Sequence, residues 1–197
     1  MPDIDIKPGL GYVDSYVSKL ILKTIPFWKG INAEPNYLTT LGFISSIFSL
    51  CFLYSRNVLG AIIFLILRWY FDYADGIYAR KYDKVSKFGD YYDHIIDILY
   101  SIGIIFIIAF SKYPEKYKYL RYYLLLTLIV FFILFIVQMG CIEKEYRKIY
   151  DTEESTISLL RNICPNGYEY IINIFDNSIL YIITIIIFII FCKYKNQ

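Results

Sequence analysis

The sequence predicts an all-α, multi-pass integral membrane protein, with five or six transmembrane helices preceded by an interfacial amphipathic helix. Three observations lead there. The 197 residues are 57% hydrophobic and 20% aromatic, whereas a soluble domain is closer to half apolar. The mean hydropathy is +0.46. The apolar residues also come in long blocks, as a bilayer requires. The length suits one membrane domain, and the chain divides into an N-terminal segment, residues 1–34, and a transmembrane domain, residues 35–197.

The N-terminus has no basic stretch followed by an apolar core, so it does not read as a cleaved signal peptide. Residues 11–30, "GYVDSYVSKLILKTIPFWKG", place Tyr12, Tyr16, Leu20 and Lys23 about a turn apart, beside Val13, Val17, Ile21 and Ile25. That is too polar to span but suits an interfacial helix, with Phe27 and Trp28 at headgroup depth. The first span is predicted at residues 37–54. The next apolar run, residues 58–71, covers about 21 Å, short of the roughly 30 Å hydrocarbon core. It crosses only by continuing through Asp72 towards Arg80. The third run, residues 95–110, is short in the mirrored sense, so its helix starts near Phe88 and includes Asp93 and Asp97. The polar link "KYDKVSK" makes these two helices antiparallel neighbours. A fourth span is predicted at residues 120–142, followed by a solvated loop, "EKEYRKIYDTEES". Residues 157–164 suggest a half helix ended by Pro165, and residues 178–192 a last apolar run that can extend back to Tyr168.

Basic residues give the orientation. The N-terminal segment, the link after the second helix and the loop after the fourth are all Lys/Arg-rich and fall on one side, which the positive-inside rule makes cytoplasmic. The net charge of +2 says little about partners, and no basic run with interleaved aromatics suggests nucleic acid. The four cysteines, Cys51, Cys141, Cys164 and Cys192, form no C-x-x-C pair and read as buried small hydrophobes.

The two aspartate-bearing helices raise the functional question. An Asp at a helix centre costs about 2.5–3.5 kcal/mol on insertion scales. Four would cost on the order of 10 kcal/mol, comparable with a whole domain's stability. Such residues persist where they face a polar cavity and serve a function. Asp72, Asp75 and Ala79 fall near one face of their helix, and Gly89, Asp93 and Asp97 repeat every four residues on the next. Clustered carboxylates repel unless cations sit among them, and oxygen ligands suit a hard divalent ion, Mg²⁺ or Mn²⁺. Gly76, Ala79 and Gly89 remove side-chain bulk beside the acids, which serves either close ligand approach or helix packing. Asp90 lies about 90° from Asp93 around the helix and reads as a solvated carboxylate. His94, the single histidine, suits a hydrogen-bonded supporting role or a headgroup contact.

The pattern Asp72-x2-Asp75-Gly76-x2-Ala79-Arg80-x8-Gly89-x3-Asp93-x3-Asp97 resembles the signature of the CDP-alcohol phosphotransferase family at every fixed position. "PFWKGINAEPNYLTTLGF" and the pair Asp93-His94 resemble its choline/ethanolamine phosphotransferase branch. The resemblance covers roughly residues 11–110. It implies a CDP-alcohol donor bound through its diphosphate on two Mg²⁺ or Mn²⁺ ions, attack by an acceptor hydroxyl and release of CMP. Carried over, Asp72, Asp75 and Asp93 are metal ligands. Asp97 takes the acceptor proton and also touches a metal. Gly76, Ala79 and Gly89 line the cytidine site, and Arg80 pairs with phosphate or a carboxylate. A homodimer is implied too.

Family members with a phosphorylated acceptor often carry Arg or Lys after the final Asp, where this chain has Ile98. That favours CDP-choline or CDP-ethanolamine as donor and a diacylglycerol-like lipid as acceptor. The alternatives are a CDP-diacylglycerol-dependent transfer to a small polar alcohol, and a non-catalytic cation-binding protein or transporter.

Overall fold

A computed structural model of the chain describes residues 11–149, 158–167 and 176–194, with no strand among them. Helix α1 (Tyr12–Leu22) and α2 (Ile25–Gly30) precede the first span. The expected single helix over residues 11–30 is broken at Lys23 and Thr24, because Pro26 has no N–H to continue a helix but suits the first turn of a new one. Tyr12, Tyr16 and Leu20 are exposed, while Ile21 and Ile25 are buried with Ala74, Ile77 and Tyr78 of the fourth helix.

Helix α3 (Pro35–Tyr54) also opens on a proline. It turns through Ser55 and Arg56 into α4 (Val58–Lys81), whose first turn is capped by the Asn57 side chain accepting from the Gly60 N–H. Helix α5 (Lys87–Phe110) is capped in the same way by Ser86 accepting from Gly89. Helices α4 and α5 are 24 residues each, about 36 Å, so both run through their aspartates as the span lengths require. Helix α6 (Leu120–Ile149) follows, then a 3-10 turn (Ser158–Ile163) before Pro165, and α7 (Asn177–Lys193). The extension of the last helix back towards Tyr168 lies outside the described residues.

Two expectations need correction. Helix α6 does not end at residue 142: it continues through Glu143, which is buried at 3% exposure, so the start of the supposed solvated loop is helix. The charged sequence hid this, because a helix can carry charge wherever it leaves the bilayer or meets another segment. And Cys141 and Cys164 are not separate thiols but a disulfide joining α6 to the 3-10 turn, with a Cα–Cα separation of 4.9 Å. Gly140 permits it. A Cβ there would run into the Leu160 carbonyl oxygen, so only glycine lets the turn lie this close to α6. Cys51 and Cys192 are free.

Three described helices are long and apolar enough to cross a bilayer: α3, α5 and the one containing residues 120–144. Helix α4 has the length but carries Arg68, Asp72, Asp75, Arg80 and Lys81, and α7, at 17 residues, is apolar but short. Along α4 two apolar clusters flank the acids. Ala61 and Leu65 pack with Ile104, Ile108, Phe188 and Phe191; Ala74, Ile77 and Tyr78 pack under α1.

Candidate active site

Helix α3 packs along both α4 and α5, and the acids face each other in the gap. Thr39 and Gly42 of α3, Arg68, Asp72 and Asp75 of α4, and Asp93, Ile96 and Asp97 of α5 line a narrow cleft. The spacings explain the convergence. Arg68 and Asp72, and Asp93 and Asp97, lie one turn apart on their helices, which puts each pair on one face.

One carboxylate oxygen from each of Asp72, Asp93 and Asp97 lies within 4.8 Å of the others. Three acidic oxygens at that spacing fit a hard divalent cation. Asp75 stands beside this group, buried, with its carboxylate accepting from the Thr39 hydroxyl at 2.5 Å. Thr39 belongs to the Pro35-Asn36-Tyr37-Leu38-Thr39 segment that opens α3, so this stretch holds a site acid in place.

Sequence reasoning gave no role to Arg68 or to the C-terminal helix. Arg68 donates from Nη2 to Asp97 Oδ1 and from Nη1 to the Tyr181 hydroxyl. Tyr181 in turn donates to Asp72 Oδ2 at 3.3 Å. The guanidinium also lies over the Tyr100 ring, 4.5 Å from its centroid. The Tyr100 hydroxyl donates to Ser49, whose single proton goes to the Ala61 carbonyl. One buried cation thus links the acids of two helices and compensates part of their mutual repulsion. Tyr181, stacked on Trp69 at 5.2 Å, brings α7 into the site. The Arg68–Asp72 spacing could have flagged Arg68; nothing in the sequence pairs Tyr181 with residues 109 positions away.

Gly76, Ala79, Arg80 and Gly89 do not line this cleft; they lie beyond it, towards the α4–α5 link. The space over Gly76 is taken by the Arg80 guanidinium, since a Cβ there would sit 3.1 Å from Nη1. A Cβ on Gly89 would meet Asn36 Oδ1 at 3.0 Å. Asp90 lies 3.6 Å from His94 Nδ1, and neither lines the cleft. Ile98 is 52% exposed, on the side of α5 away from the acids. Trp28 donates to the Tyr70 hydroxyl at 2.7 Å. Tyr70 donates to Thr24, which spends its own proton on Ile21 O. The Pro-Phe-Trp element therefore ties α2 to α4 two residues before Asp72.

A profile described as CDP-alcohol phosphatidyltransferase matches residues 33–163. An archaetidylinositol phosphate synthase of Pyrococcus horikoshii is 38% identical over 79 residues, 40% of this chain and 42% of that protein; the match thus spans less than half of the relative's length. No solved structure matches the chain. With a profile running from the start of α3 into the 3-10 turn and enclosing all four acids, the chain belongs to the CDP-alcohol phosphatidyltransferase family.

Proposed function

We propose that this protein transfers a substituted phosphate from a CDP-alcohol to an acceptor hydroxyl and releases CMP. The observation that carries the reading is the convergence of Asp72, Asp93 and Asp97 oxygens within 4.8 Å, beside a Thr39-anchored Asp75. These four acids would hold Mg²⁺ or Mn²⁺, two ions in our reading. When bound, the ions supply positive charge for the diphosphate and for the attacking and leaving oxygens.

The chain's own residues do the rest. Asp97 has one oxygen fixed by Arg68, which leaves the other to take the acceptor's proton. The acceptor oxygen then bonds to the phosphorus bearing the alcohol, and the bond from that phosphorus to the CMP oxygen breaks. Arg68 and Tyr181 hold the acids in register. The cytidine would lie beyond the cleft, beside Gly76, Ala79 and Gly89 towards the α4–α5 link, once the Arg80 guanidinium that now covers Gly76 turns to meet a phosphate.

Two pairings of donor and acceptor compete. The Pro-Phe-Trp element, Asp93-His94 and an uncharged Ile98 favour CDP-choline or CDP-ethanolamine with a diacylglycerol-like lipid. The relative's name favours a CDP-activated lipid with a polar alcohol. A matrix of CDP-alcohols against lipid and soluble acceptors, scored by CMP formed, separates them. No CMP with any pair would leave a cation-binding protein or transporter. A homodimer and a cytoplasmic active site complete the proposal.

A further inference from the structure

The cleft that gathers the acids also holds a permanent positive charge. Among the described residues that line it, Arg68 is the one cation, set against Asp72, Asp75, Asp93 and Asp97. Arg80 lies over Gly76, outside the lining. A guanidinium stays protonated in any protein environment. Arg68 is also buried, so solvent and salt screen its charge little.

The contacts of Arg68 go to the acids whose oxygens converge. It donates to Asp97 directly and reaches Asp72 through the Tyr181 hydroxyl. It therefore touches two of the three acids whose oxygens lie within 4.8 Å of one another. The Tyr100 and Tyr181 rings flank the guanidinium, with centroids 4.5 and 5.5 Å away. Aromatic faces favour a cation, so these rings hold Arg68 in place without help from a divalent ion. An ion bound by the same acids would have this fixed like charge one carboxylate away. The acids attract the ion and Arg68 opposes it.

We propose that Arg68 sets the strength of divalent-ion binding at this site, holding the affinity down so that the ion stays exchangeable. The proposal rests on the metal reading of the acids and adds a role to the bracing already described. Bracing and opposing charge predict opposite signs. If Arg68 only keeps the acids in register, its loss disorders the ligands and weakens ion binding. If its charge opposes the ion, its loss tightens ion binding while the ion-free protein, left with four unbalanced carboxylates, becomes less stable.

The test is Mn²⁺ binding to the purified full chain, with no CDP-alcohol present, read by electron paramagnetic resonance of the free ion at one fixed pH. Arg68→Gln is expected to bind Mn²⁺ at least about tenfold more tightly than wild type, the effect of removing one poorly screened neighbouring charge. Arg68→Lys keeps the charge and should stay within about threefold of wild type. Thermal unfolding gives a second reading: Arg68→Gln should be less stable than wild type without ion and gain more from added Mn²⁺. Unchanged or weaker Mn²⁺ binding by Arg68→Gln would overturn the proposal. So would equal tightening in Arg68→Lys, because charge would then not be the cause. If Arg68→Gln is unfolded without ion and folds when Mn²⁺ is added, the ion replaces the missing cation as proposed. If it stays unfolded in millimolar Mn²⁺, Arg68 serves the fold itself and the proposal falls. No Mn²⁺ binding by wild type or any variant would remove the metal reading, and this proposal with it.

Discussion

Asp14 and Asp176 cap each other's helices. Asp176 accepts from the Val13 and Asp14 N–H groups at the start of α1, at 2.8 and 2.9 Å, and from Ile179 in its own helix. Asp14 accepts from Asn177 and Ser178 at the start of α7, and from the Ser178 and Tyr73 hydroxyls. Two helix N-termini therefore face each other with two carboxylates between them. Each carboxylate satisfies N–H groups that have no partner within their own helix. The pair holds α7, and with it Tyr181, against α4.

Removing either carboxylate strands buried donors, so Asp14→Ala and Asp176→Ala should each cost about 1–3 kcal/mol. The double variant should cost less than the sum, because each single change already loosens the shared junction. Thermal unfolding in detergent measures all three. Strict additivity would mean that the two caps act independently.

The junction also predicts a pH dependence. Burial pushes the Asp14 carboxyl above its ordinary value, the Ser178 and Tyr73 hydrogen bonds pull it down, and the Asp176 charge pushes it up again; the net direction is upward. The folded state thus binds a proton at Asp14 more tightly than the unfolded chain does. The resulting stabilisation is full below the unfolded value of about 3.9 and is lost as pH rises through the raised folded value. The wild-type Tm should fall relative to Asp14→Asn as pH goes from about 4 towards neutral. Parallel curves would contradict the assignment.

At the other junction, Gly140→Ala would drive a methyl into the Leu160 carbonyl. That oxygen is backbone and has little freedom to yield, so the turn should lift from α6 at a cost of about 1–3 kcal/mol. Cys141 and Cys164, now both buried, should then react with an alkylating reagent in reductant too mild to open the wild-type bond. Mass spectrometry of the alkylated peptides reads the difference directly.

How legible was all this? The acids and their helices were, because a charge inside an apolar block is conspicuous and i, i+4 spacing fixes its face. The lengths of α4 and α5 followed from bilayer thickness, which forced both helices through their aspartates. What stayed hidden depends on pairings between distant segments. Arg68 was in plain view, but its partner Tyr181 arrives from a helix that no periodicity links to α4. The Cys141–Cys164 bond rests on a glycine whose role shows only when Leu160 lies against it. Nor does residue type show that Trp28 hydrogen-bonds Tyr70 of α4.

Chelation should abolish turnover, with activity restored by millimolar-range Mg²⁺ or Mn²⁺, because carboxylates completed by substrate phosphate bind such ions modestly. CMP release before and after exhaustive chelation is the measurement. Full activity without divalent ions would remove the role assigned to Asp72, Asp93 and Asp97.

The sharpest test separates base from ligand. Asp97→Asn keeps shape and still accepts a hydrogen bond from Arg68, but it cannot take a proton. If Asp97 is the base, kcat should fall roughly 10²–10⁴-fold while CDP-alcohol binding stays near wild type. Asp75→Asn should behave differently. Its carboxylate is fixed by Thr39, so the variant keeps its position and loses its charge, weakening metal and donor binding together. Both variants are compared at saturating Mg²⁺ for donor affinity and turnover. If Asp97→Asn loses donor affinity as severely as Asp75→Asn, Asp97 acts mainly in holding the ion. The proton must then leave by another route, and the Tyr181 hydroxyl, bonded to both Arg68 and Asp72, becomes the next group to replace, as Tyr181→Phe.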